Sequence, residues 1–294
     1  MQRTKIEQLT HSWNPIAMRC TPTSPGCANC WHIALAKRLA GNPQIAPELR
    51  EAYAGGKPVL VESRLTEPLR LRKPAVIGVQ WMGDLFHDDI PFEFVEKVFS
   101  TMVEAKQHSF LVLTKRPSRM LEWQRWEEDQ QYNTMDDSWF PNVEFGVTVE
   151  NQKTADERRD AFKALPASKK FVSYEPALGP VDWTGWEFID QLIFGGETGH
   201  GARPAHPDWF RNARAWAGEH GIARFFKSWG AWLPNDQFEY GLPDWRGKYG
   251  PDGWQKRSAR CHHWIWGFAS FRVGKKRSGR LLDGRTWDEM PRRQ

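Results

Sequence analysis

The chain has 294 residues, 26% charged and 40% hydrophobic, which is enough for one large core and ordinary for a soluble globular protein. No apolar run approaches the length of a bilayer span, and the opening "MQRTKIEQLTHSW" has no apolar signal region, so membrane insertion and export are not expected and a cytoplasmic location is. Net charge is +5 but uneven: residues 246–294 hold thirteen Lys/Arg and four Asp/Glu, a balance of +9, which leaves −4 for residues 1–245.

In chain order, the first feature is the loop "RCTPTSPGCANCWH" (19–32), with Cys20, Cys27 and Cys30, three of the four cysteines. A helix "WHIALAKRLAG" (31–41) follows, then an irregular stretch over 39–72. "AVIGVQW" (75–81) has the length and β-branching of a buried strand. After it, Phe92, Val95, Val98, Phe99, Met102 and Val103 share one helical face, with Pro91 suited to the first turn. "SFLVLT" (109–114) and the alternating "NVEFGVTVE" (142–150) are strands. "TADERRDAFKAL" (154–165) is a helix, with Thr154 as cap and Glu157 three residues on. "KFVSYE" (170–175) and "DQLIFGGE" (190–197) are strands. "HPDWFRNARAWAGEHG" (206–221) is a helix ending at Gly221, and "IARFFKSW" (222–229) is the last strand.

Regular βα alternation implies an α/β fold with a parallel sheet and right-handed crossovers. Six or more units with neither G-x-G-x-x-G nor a P-loop favour a partial or closed (β/α) barrel over a dinucleotide-binding sheet. Residues 1–229 would form the barrel and 230–294 a Trp- and Gly-rich basic extension packed on it. Barrel chemistry sits at the C-terminal strand ends. Five of these turn polar at once: "MGDLFHDD" (82–89), "TKRP" (114–117), "TVEN" (148–151), "SYEP" (173–176) and "GGETGHGARP" (195–204).

The aromatic content is unusual, with 17 Trp against 5 Tyr. Trp123, Trp126, Trp139, Trp183, Trp186, Trp229, Trp232, Trp245 and Trp254 fall outside the periodic segments. Pinning long loops to the body is the expected role, and stacking against bases the sharper alternative. The densest basic run, "GKKRSGR" (274–280), is either a solvated tail or a contact for a phosphate backbone.

In a reducing compartment, clustered cysteines bind metal or do chemistry. A structural zinc wants four ligands, and here His32, His11 or the distant Cys261 would have to complete the set. Three cysteines on a four-iron cluster instead leave one iron open to a small molecule. Cys261, in "CHHW" with His262 and His263, offers a second metal site or a hydrogen donor, though packing is the commoner role for such a cysteine.

"WNP" (13–15), the cysteine loop, "MGDLFHD" (82–88), "LTKRP" (113–117), "GVTVEN" (146–151), "SYEPALGP" (173–180), "GGETG" (195–199), "FFKSWG" (225–230) and "DGRTWDEMP" (283–291) occur in this order. Together they resemble the phage Gp37/Gp68 family, a domain of unknown function similar to radical S-adenosylmethionine enzymes of the spore photoproduct lyase type. The resemblance spans nearly the whole chain. It implies a 4Fe–4S cluster on Cys20, Cys27 and Cys30, S-adenosylmethionine chelated at the open iron, an electron donor, and a 5′-deoxyadenosyl radical that abstracts hydrogen from a substrate. The first cysteine gap is six residues, where the usual radical spacing has three. By the same resemblance Asp84 would hold the methionine amino group, and Glu150 and Ser173 the ribose hydroxyls. Lys115 and Arg116 would bind the methionine carboxylate or a phosphate. Glu175, Gly195, Gly196 and Glu197 would line the far side, with Lys227 and Trp229 as weaker candidates.

The expected substrate is DNA, RNA or a nucleotide, modified or repaired, since the basic segment and the aromatics both lean that way. A zinc-stabilised, non-catalytic nucleic-acid-binding protein is the alternative. A hydrolase using Glu150, Glu175 and Glu197 is a third, weakened by the lack of an H-E-x-x-H motif.

Overall fold

The computed structural model describes residues 1–130, 140–241, 261–264 and 267–291. Its centre is one eight-stranded sheet. Two short N-terminal strands, β1 (Gln2–Arg3) and β2 (His11–Trp13), come first, and a two-stranded pair follows, β3 (Ile16–Ala17) with β4 (Val59–Leu60). The main strands are β5 (Val76–Val79), β6 (Ser109–Thr114), β7 (Val143–Thr148), β8 (Lys170–Tyr174), β9 (Gln191–Gly195) and β10 (Ala223–Ser228). The sheet order is β1-β2-β5-β6-β7-β8-β9-β10, and every pairing except β1 with β2 is parallel.

The main-sheet order never reverses along the chain. Right-handed crossovers then put the connecting helices on one face. These are α3 (Phe92–Glu104), α4 (Pro117–Asp129), α5 (Gln152–Ala164) and α6 (Pro207–Glu219); α1 (Trp31–Ala40) and α2 (Pro47–Ala54) precede them. Strand residues alternate between two cores. Phe110, Val112, Phe145, Val147, Val172, Tyr174, Leu192 and Phe194 pack under the helices with Phe99, Trp123, Phe162 and Phe210. Leu111, Phe171, Ile193 and Phe225 turn the other way and meet Leu9 from the N-terminal segment. Gly146 makes room for this inner layer, since a Cβ there would lie 2.1 Å from the Phe171 ring.

The sheet does not close into a barrel among the described residues. Both outer edges are covered by antiparallel backbone instead. β1 pairs along β2, and on the far side Phe225 bridges Asp288, with Phe226 N donating to the Trp287 carbonyl at 2.8 Å. These pairings take up outer hydrogen bonds of β2 and of part of β10. The established architecture is therefore mixed α/β with one large, mostly parallel sheet. A second, three-stranded sheet joins β11 (Trp232–Pro234), β12 (Cys261–His263) and β13 (Ala269–Arg272). Among the described residues no helix is long and apolar enough to cross a membrane.

Local differences from the sequence reading have physical causes. The cap of α5 is Asn151, whose side chain accepts from Thr154 N, while Thr154 is the third helical residue and returns the bond. Pro91 is the N-cap of α3, Phe94 is buried on that helix, and Val103 is 41% exposed. Helix α2 lies within the stretch expected to be irregular. Trp123 and Trp126 belong to α4 and not to a loop. Trp123, Trp183, Trp186, Trp229 and Trp232 are all buried, so these rings pin structure and present no stacking face. Trp139, Trp245 and Trp254 lie outside the described residues.

Candidate cysteine-loop site

The cysteine loop lies across the C-terminal ends of the parallel strands. A 3-10 turn over Pro25–Cys27 shapes it, and Cys30 ends it as the N-cap of α1. The neighbouring strand ends grip it one by one. After β6, Lys115 Nζ donates to Ser24 Oγ at 3.1 Å and pairs with Glu150, and Arg116 donates to the Thr21 carbonyl at 3.2 Å. After β7, Glu150 accepts from Ser24 Oγ at 2.6 Å and pairs with Arg158 at 3.3 Å. After β9, Glu197 accepts from Asn29 at 3.1 Å and from Arg203 at 2.6 and 2.8 Å, and Arg203 also reaches the Pro25 carbonyl at 2.9 Å. After β5, Asp84 accepts from Arg116 at 3.2 Å, and His87 meets Thr21 Oγ1 at 2.9 Å.

A cavity of about 540 Å³ opens beside the loop. Such a volume suits a small molecule or cofactor. Cys20, Cys27, Cys30, Asp84, Lys115, Ser173, Glu175, Gly196 and Glu197 all line it, as does Lys227. Arg116, Glu150 and Gly195 are not among the lining residues and stand behind them. Trp229 is buried, its indole donating to the Leu281 carbonyl at 2.7 Å. Apolar residues of the inner core, Leu113, Phe171 and Ile193, line the cavity as well.

Several sequence candidates are already engaged by their own chain. Asp84 accepts from Phe86 N, Thr114 Oγ1, Lys115 N and Arg116, which occupies both of its oxygens. Glu150 is fully buried. Burial alone would push its carboxyl up; the Lys115 ammonium and the Arg158 guanidinium outweigh that and hold it below the ordinary carboxylate range. Glu175 pairs with Lys227 at 2.7 Å.

The thiols differ in environment. Burial pushes Cys20 up to about 11, and the Asp84 carboxylate adds to this against the Arg116 guanidinium. Burial would also raise Cys27, but Lys115 and hydrogen bonds at Thr23 and Ser24 outweigh it and hold the thiol below its ordinary value. Among the described residues no three His, Cys, Asp or Glu side chains form a group that could hold a single metal ion. Of the residues considered as a fourth ligand, His11 meets Thr10 Oγ1 at 3.0 Å. Cys261 is exposed on β12, its Sγ 3.6 Å from His263 Nε2, and does not line the cavity. The packing role expected of it is not what the structure has. His32 is 2% exposed and lines the cavity, and neither ring nitrogen has a hydrogen-bond partner.

Ser24, Asn29 and Arg203 complete the site and were not singled out from the sequence. Ser24 and Asn29 lie inside the quoted cysteine loop, and Arg203 lies in "GGETGHGARP", so the segments pointed to them although spacing did not.

A family model described as "Protein of unknown function (DUF5131)" matches residues 3–291. No curated protein and no solved structure matches the chain.

Proposed function

We propose that this chain, which belongs to the DUF5131 family, is a radical S-adenosylmethionine enzyme acting on nucleic acid or a nucleotide. The observation that carries the reading is that Cys20, Cys27 and Cys30, three soft donors from one short loop gripped by four strand ends, line a single cavity. Each thiolate of such a loop can bind a different iron of one cluster.

Bound there, a 4Fe–4S cluster with one iron open to S-adenosylmethionine supplies the reductive cleavage that begins radical chemistry. The chain's own part is holding and shielding. Lys115 and Arg116, beside Cys27 and Cys20, offset thiolate charge. Ser24, Glu150, Asn29, Glu197 and Arg203 fix the loop. Ser173 offers a hydroxyl and Gly196 its backbone to a ligand in the cavity, while Leu113, Phe171 and Ile193 give it apolar lining. The sheet, open and in chain order with its cavity inside, is read as a partial (β/α) barrel. Asp84 and Glu150 take supporting roles in place of direct cofactor contacts.

One observation favours a second reading, a zinc-stabilised nucleic-acid-binding protein. His32 stands two residues after Cys30 with both ring nitrogens unpartnered, and a shift of the loop would make it a fourth ligand. Anaerobic purification with iron, sulfide and zinc analysis separates the two. About four irons and four sulfides per chain supports the first; one zinc and no iron contradicts it and favours the second.

A further inference from the structure

We infer that the mouth of the cysteine cavity binds single-stranded or locally unpaired nucleic acid, with a base stacked on Trp31 and the phosphate backbone crossing Arg3, Lys5, Lys276 and Arg277. The inference rests on the nucleic-acid part of the reading above and is independent of the cluster.

Trp31 differs from the buried tryptophans. It is 51% exposed, directly follows Cys30 as the first residue of α1, and lines the cavity. An exposed indole at a cavity entrance, on a helix whose start is anchored by a tethered loop, is a preformed stacking face. Its edge-to-face contact with His32, at 6.1 Å and 79°, supports one side and leaves the ring accessible.

The cations come from the two chain ends. Residues Gln2–Gln8 line the same cavity, and so does Lys275, which pairs with Glu7 at 3.2 Å. That pair brings the run Lys275, Lys276 and Arg277 against the segment carrying Arg3 and Lys5. The carboxylates around the cavity have partners: Glu7 with Lys275, Glu175 with Lys227, Glu197 with Arg203, and Asp84 with Arg116. Among the described residues Arg3, Lys5, Lys276 and Arg277 make no ion pair, and all four are exposed. Four uncompensated cations exceed what one mononucleotide phosphate requires; Arg3 and Lys5 line the cavity, and Lys276 and Arg277 follow its lining residue Lys275 in the chain, a spread that suits a polymer backbone. A base inside a duplex has both faces stacked on its neighbours, so a base stacked on Trp31 must come from a single or locally opened strand.

The test is fluorescence anisotropy of a labelled single-stranded oligonucleotide with the full chain, across a salt series, for wild type, Trp31→Ala, Trp31→Phe and the double variant Lys276→Gln/Arg277→Gln. Trp31→Ala should weaken binding by roughly tenfold or more, and Trp31→Phe should keep most of the affinity. The double variant should reduce the slope of log affinity against log salt by about 1.4, at about 0.7 per lost single-strand phosphate contact. A matching blunt duplex should bind more weakly. No oligonucleotide binding by wild type, an unchanged affinity in Trp31→Ala, or an unchanged slope in the double variant would each overturn the inference. So would equal competition by inorganic polyphosphate, the behaviour of a site that takes any polyanion, an acidic protein included. Metal content read in parallel separates the two proposals: zinc-only protein with the predicted binding sinks the radical reading alone, and iron–sulfur protein without it sinks this one alone.

Discussion

Glu150 lies so close to Gly26 that a Cβ built on the glycine would stand 2.5 Å from Oε1. The carboxylate is fully buried and held by Lys115, Arg158 and Ser24, so it has little room to retreat. The close approach seats the middle of the cysteine loop on the end of β7. Gly26→Ala should therefore displace the loop and cost about 1–3 kcal/mol, as overpacking does elsewhere. Chemical denaturation measures the cost, and the variant should also retain less metal per chain. Unchanged stability and metal content would mean that the contact is not a constraint.

Glu150→Gln keeps the shape and removes the charge. Arg158 is 5% exposed and would keep the Thr148 carbonyl, at 2.7 Å, and at most a neutral amide oxygen in place of the carboxylate. Breaking one side of a buried pair typically costs about 3–5 kcal/mol. A urea midpoint close to that of wild type would show that the Lys115–Glu150–Arg158 chain adds little to stability.

Arg203 ties the loop after β9 to the cysteine loop by a two-armed bond to Glu197 and one to the Pro25 carbonyl. Arg203→Ala should speed amide exchange of residues 24–30. Arg203→Lys should not restore protection, because an ammonium cannot bridge both acceptors in a fixed plane. Hydrogen exchange read by mass spectrometry decides this, and rescue by lysine would reduce the role of Arg203 to charge alone.

The C-terminal segment carries its own acid-sensitive anchor. Burial would raise the Asp283 carboxyl, but Arg211, Gln237 and Arg214 outweigh it and bring it down to about 2. Because the folded value lies below the unfolded one, near 4, the stabilisation is complete above pH 4 and is lost as pH falls towards 2. The group is partly solvent-exposed, which limits its contribution to on the order of 1 kcal/mol. Asp283→Asn should lower stability at pH 7 and flatten its dependence on pH between 4 and 2. A variant with the same slope as wild type in that window would rule this anchor out.

The sheet was legible because buried parallel strands are short apolar runs. Ser109–Thr114 matches its expected bounds, and the other main strands differ by a residue or two at their ends. The open edges were not legible: they depend on two-residue β1 and on the bridge from Phe225 to Asp288, which leave no periodicity in the sequence. Helix α4 was missed because its buried face includes Gln124 and Glu127 beside Met120 and Trp123, which masks the apolar stripe. At the site, the polar strand ends signalled a functional edge. What they could not reveal is that Glu150 and Glu197 mostly hold the loop, and that Asp84 holds Thr114, Lys115 and Arg116 behind it, since bonds between residues far apart in the chain are set by tertiary packing.

Three thiols on one tethered loop are proposed to support reductive cleavage of S-adenosylmethionine. The direct measurement is 5′-deoxyadenosine formed by the anaerobically purified, iron–sulfur-loaded chain with dithionite and S-adenosylmethionine, in wild type and in Cys27→Ala. Wild type should form product and the variant none, and the variant should also lose the cluster's visible absorbance. An intact cluster with no 5′-deoxyadenosine, or product undiminished in Cys27→Ala, would contradict it.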